Sequence, residues 1–194
     1  MYHSDTLDTI HFKSSFSFNA VISCLGLVPN LKVLKLSCIY RNNSLNSHIW
    51  TFPLLKRYEQ CHRCNNETIA EIGQYCPLIN TLIVPFSDEV NDECLIWILN
   101  LRNLVNLNIK GTNISRGGYV AILTELKGII NIIWTKDHIN TILADIDIET
   151  LRNKELVSCN LQSAEMLVEK RTNIETLVLF DTESVNMSVL PQLE

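Results

Sequence analysis

Ile79-Asn80-Thr81-Leu82-Ile83-Val84 is answered 25 residues later by Leu104-Val105-Asn106-Leu107-Asn108-Ile109, and both follow the template apolar-x-x-apolar-x-apolar. Towards the carboxyl end the template recurs as Ile129-x-x-Ile132-x-Trp134, as a weaker Leu151-x-x-Lys154-x-Leu156, and as Ile174-x-x-Leu177-x-Leu179. Towards the amino end it reads Leu55-x-x-Tyr58 with Gln60 in the last apolar slot, then Leu31-x-x-Leu34-x-Leu36 and Leu7-x-x-Ile10-x-Phe12. Alternation over the last positions is what a short strand with one buried face requires. A strand recurring about every 24 residues predicts units stacked side by side, their strands joined in one parallel sheet.

The segment after each strand reads as helix. Thr68 to Cys76 sets Ile69, Ile72 and Cys76 on one face, with Asn65 or Asn66 placed to cap it and Pro77 to end it. The stretch Asp92–Leu99 repeats the arrangement with Asn91 or Asp92 as cap, and Tyr119–Leu123 and Ala164–Glu169 come after Ser115 and Ser163. Trp97 on its helix face and Trp134 at an inward strand position read as core residues. Strand, helix and two turns in about 24 residues is too short for a doubly wound nucleotide-binding unit, which needs about 30.

The chain has 194 residues, 46% of them hydrophobic, so a folded core is expected rather than disorder. A net charge of −5 argues against a broadly basic nucleic-acid binder. No apolar run approaches the roughly 18 residues of a membrane span. Seven cysteines without paired spacing suit reduced thiols, and Met1-Tyr2-His3-Ser4-Asp5 does not open like a secretory signal, so a cytoplasmic or nuclear location is expected. Sequons at Asn42, Asn66, Asn113 and Asn186 point the other way, but chance matches are expected in an Asn-rich chain.

Leu151-x-x-Lys-x-Leu-x-x-Cys159, followed by Asn160-Leu161-Gln162-Ser163-Ala164, resembles the cysteine-containing leucine-rich repeats of F-box substrate receptors. Tyr75-Cys76-Pro77-Leu78-Ile79 resembles the Cys-Pro segment that precedes their strands. The resemblance implies an α/β leucine-rich-repeat solenoid, a horseshoe with a parallel sheet on its concave face and helices on its convex face. It makes residues 1–194 one domain of about eight repeats starting near 7, 31, 55, 79, 104, 129, 151 and 174. Polar capping repeats are missing from both ends, so a fragment of a longer solenoid is expected. No F-box helices precede Leu7; of the family's role, only substrate capture for an SCF-type ubiquitin ligase is implied.

The sharpest local cluster is Cys61-His62-Arg63-Cys64. In the repeat frame Cys38 and His62 fall at equivalent positions on neighbouring strands, so Cys38, Cys61, His62 and Cys64 are a weak candidate set of metal ligands. Against it stand the lack of a second Cys-x-x-Cys pair and the ordinary use of cysteine as a small buried residue. No catalytic triad or glycine-rich phosphate loop occurs; Glu165 and Glu169 read as a solvated helix face, and Gly117-Gly118 as a turn. The expectation is therefore a non-enzyme with no cofactor.

Function is expected on outward strand positions. The fifth position of each repeat reads His11, Lys35, Glu59, Ile83, Asn108, Ile133, Glu155 and Val178; the seventh reads Lys13, Ser37, Cys61, Pro85, Lys110, Thr135, Val157 and Phe180. Ile83, Phe86, Asn108, Ile133, Val178 and Phe180 are the candidate partner-binding residues, because this strip is more apolar than a solvated surface needs. The expected partner is a protein, with neither nucleic acid nor membrane involved. Alternatives are a secreted or cell-surface receptor ectodomain, or a degenerate fragment without a partner.

Overall fold

A computed structural model describes residues 6–13, 25, 28–37, 52–61, 63–129, 131–133, 155–159 and 177–179, the last two segments and residue 131 by backbone only. The strands are β1 (Thr9–Phe12), β2 (Val33–Ser37), β3 (Arg57–Cys61), β4 (Thr81–Ile83), β5 (Asn106–Asn108), β6 (Asn131–Ile133), β7 (Glu155–Cys159) and β8 (Leu177–Leu179). They form one parallel sheet in sequential order. The described helices are α1 (Asn66–Tyr75), α2 (Leu95–Asn100), entered through a 3-10 turn at Asp92–Cys94, and α3 (Arg116–Glu125).

Register turns the sequence period into a core. Ile10, Leu34, Tyr58, Leu82, Leu107, Ile132 and Leu156 are aligned across seven strands. From Leu34 to Ile132 this row is buried, as is the row Leu31, Leu55, Ile79, Leu104 and Ile129 that opens the units. Each such side chain taken from water contributes roughly 1.5–3 kcal/mol. Gln60 occupies an apolar slot and is buried, its Oε1 accepting the hydroxyl proton of the equally buried Tyr58. A polar group without that partner would cost about 1–3 kcal/mol. Trp97 is half-buried and packs against the core; Trp134 lies outside the described residues.

Helix starts are joined from unit to unit. Asn65 caps α1, its Oδ1 accepting from the Thr68 amide at 3.0 Å and the Thr68 hydroxyl at 2.8 Å. Asn91 caps the turn into α2, accepting from the Glu93 amide at 3.0 Å and from Asn66 Nδ2 at 2.8 Å. Its own amide donates to Asn66 Oδ1 at 3.0 Å. Ser115 caps α3, and its amide donates back to Asp92 Oδ1 at 2.8 Å. Parallel bridges Asn65↔Glu89 and Asn91↔Asn113 hold these turns beside one another.

The horseshoe is corrected. The sheet is not curled, and among the described residues only three short helices flank it. A strand–helix stack curls when helices 8–10 Å apart back strands about 4.8 Å apart, widening the outer layer. Here the outer layer is drawn in: a Cβ on Gly73 of α1 would meet Trp97 Cβ and its carbonyl oxygen at 2.9 Å, so only glycine permits this approach to α2. The turn bridges act in the same direction. The expected leucine-rich-repeat solenoid of the F-box kind is corrected by the same finding: the repeat yields a flat parallel sheet, flanked among the described residues by three short helices.

The seventh unit is also displaced from its expected frame. Leu156 pairs with Ile132 and Leu177, which makes it the fourth position of its unit and not the sixth. Val157 thus takes the fifth position expected for Glu155, and the pairing with β8 then shifts register between Val157 and Cys159.

Asn91→Ala removes a helix cap and the bond that Asn66 Nδ2 donates to the Asn91 side chain, while the Asn91 backbone amide keeps its bond to Asn66, and it is expected to lower stability by about 1–2 kcal/mol. Ile96→Ala, at a side chain 63% exposed, is expected to change it by less than about 0.5 kcal/mol. Urea unfolding of the two variants checks the pair.

Candidate functional site

Side chains alternate along each strand, so the partners of the buried rows face outward: Val33, Lys35 and Ser37 on β2, Arg57, Glu59 and Cys61 on β3, Thr81 and Ile83 on β4, Asn106 and Asn108 on β5, and Ile133 on β6. Ile83, Asn108 and Ile133 share one register row across β4, β5 and β6 and are all half-buried. Pro85, expected at an outward position, is buried. Val178 lies on β8 in register with Val157, while Phe180 lies outside the described residues.

Phe86 is built differently. It lies beyond β4 at φ 56°, a left-handed conformation unfavourable for an aromatic residue, yet its side chain is 52% exposed. Its amide donates to the Lys110 carbonyl at 2.7 Å, and the Lys110 ammonium stands 6.0 Å from the ring centroid. The ring rests on Gly111, itself at φ 70°, where an added Cβ would meet Phe86 Cδ1 at 2.8 Å. Residues at such angles cost about 1–3 kcal/mol. Burial of the ring does not account for tolerating that cost at Phe86.

Over β1–β3 the same face is polar. His11 Nε2 and Ser37 Oγ lie 3.0 Å apart. Glu59 receives Lys35 at 3.3 Å and Arg57 at 3.1 Å, so two cations share one carboxylate. Arg57 Nε is buried with no acceptor. Partial burial pushes the Glu59 carboxyl up, but hydrogen bonds and charge from Arg57 and Lys35 outweigh it and hold the group below its ordinary value. The repeat pattern does not single out Arg57. Its signal is the i, i+2 spacing to Glu59 on one strand face.

The Cys61–Cys64 cluster is divided by its backbone. Cys61 is half-buried on the outward face, Arg63 turns the chain at φ 55°, and Cys64 is wholly buried. Cys38 and His62 lie outside the described residues, and no group of three or more possible metal ligands occurs among those described. Cys61, Cys64, Cys76 and Cys94 are not disulfide-bonded. Burial is the main cause pushing the Cys76 and Cys94 thiols up to about 12. No described helix is long and apolar enough to cross a membrane. No protein-family model, curated protein or solved structure matches the chain.

Two measurements test these environments. The folded value of Glu59 lies below its unfolded one, so its stabilisation is present above the ordinary carboxylate value and is lost as pH falls through the folded value. Glu59→Gln is therefore expected to be less stable than the wild type at neutral pH, with the gap closing in acid, as followed by thermal melting. Brief alkylation of the native protein at neutral pH is expected to label Cys61 well before Cys64, Cys76 or Cys94, as read by peptide mass spectrometry.

Proposed function

We propose that this chain is a non-enzymatic protein-interaction module whose partner binds the outward face of the sheet. The observation that carries the reading is Phe86, an exposed aromatic ring kept in a strained backbone conformation and positioned by Gly111 and Lys110. Strain of this kind gathers where a side chain must be presented, and rigid aromatic residues are favoured anchors at protein interfaces. Ile83 and Ile133, on either side of Asn108 in one row, place two apolar contacts about 10 Å apart across neighbouring strands. A flat sheet suits a broad or extended partner better than a deep small-molecule pocket does.

The test is a tagged pull-down from reducing cell extract with the wild type, Ile83→Glu/Ile133→Glu and Phe86→Asn. Asn tolerates the left-handed region, so Phe86→Asn is expected to keep the fold while removing the anchor. A protein held by the wild type and lost from both variants supports the proposal, and its identity decides between ubiquitin-ligase, receptor and other use. Equal recovery by all three forms, each with unchanged circular dichroism, overturns it.

A further inference from the structure

Charge on this molecule is segregated. The whole chain is at −5, yet over the units of β1–β6 positions three, five and seven carry Lys13, Lys35, Arg57 and Lys110 against the carboxylate of Glu59, while Glu155 lies farther along the sheet on β7. Acidic groups collect elsewhere: Asp88, Glu89, Asp92 and Glu93 lie on the turn leading into α2. Where Lys35 and Arg57 converge on Glu59, one carboxylate serves two partly exposed cations. A second carboxylate brought to this point would complete two ion pairs. Over β4–β6 the face changes character to Ile83, Asn106, Asn108 and Ile133.

Resting on the interaction reading above, we infer that the partner element is an extended protein segment crossing the strands, with Asp or Glu side chains over β1–β3 and aliphatic side chains over β4–β6. Five inter-strand steps of about 4.8 Å separate β1 from β6, a span of about 24 Å that about seven extended residues cover at ~3.3 Å each. The acidic part meets Lys13, Lys35 and Arg57, and the apolar part meets the Ile83–Ile133 row. Complementary charge fixes direction and register, while apolar contact and the Phe86 anchor contribute most of the affinity.

Random peptides of about sixteen residues displayed on phage, selected on the immobilised full chain, test the inference. The expected winners carry an Asp/Glu cluster set apart from a Leu/Ile/Val cluster by a few residues. Synthetic copies are expected to lose ~10-fold or more in affinity against Lys35→Glu/Arg57→Glu, and severalfold against the milder Lys13→Gln/Lys35→Gln. They are also expected to weaken as salt rises. Winners without acidic residues that are still lost on Ile83→Glu/Ile133→Glu overturn the charge assignment and leave the sheet-face reading standing. Winners indifferent to both sets of variants, or selections that yield no winners, overturn both.

Discussion

The structure depends on one constraint: the inward side chains of successive strands must stack in register. Leu34, Tyr58, Leu82, Leu107 and Ile132 stand one above another at strand spacing, each buried by the residue before and after it. A slip of one residue in any strand would turn its apolar set outward and its charges inward. The outward rows that make the candidate site are therefore a by-product of the core. Ile83, Asn108 and Ile133 line up because Leu82, Leu107 and Ile132 do.

The second constraint lies at the helix starts. Side chains of Asn66, Asn91 and Asp92, at or beside the caps, bind the backbone or side chains of the neighbouring turn, so the helix starts also serve as struts between units. With Gly73 pressed against Trp97, these struts keep the helical layer from spreading and leave the sheet flat. A flat face presents its polar and apolar halves side by side.

Much of this is legible in the sequence. The spacing of Leu31, Leu34 and Leu36 and its echoes locates the strands, and Asn65, Asn91 and Ser115 mark the helix starts. Curvature is not legible, because it depends on the distance between helices, and that distance rests on one glycine whose neighbour is 24 residues away. The frame of the seventh unit is hidden by two residues because Leu151 imitates the first position, and a two-residue shift leaves the same side chains on each face. Phe86, the eighth residue of its unit, is not marked as outward by strand alternation, which points to Pro85 instead. Nor is its strain marked, since a positive φ at a non-glycine residue leaves no trace in composition.

Strands that pair in the sheet are always consecutive in the chain. Loop closure therefore costs nearly the same at each step, and no pairing has to wait for a distant segment. Such a topology favours folding that begins at the best-packed pair and spreads outward strand by strand. The region around β4 and β5, with buried residues on all their inward positions and capped helices on either side, is the natural place to begin. The anchor turn at Phe86 sits within that region, so the candidate binding site would take shape among the earliest parts of the fold.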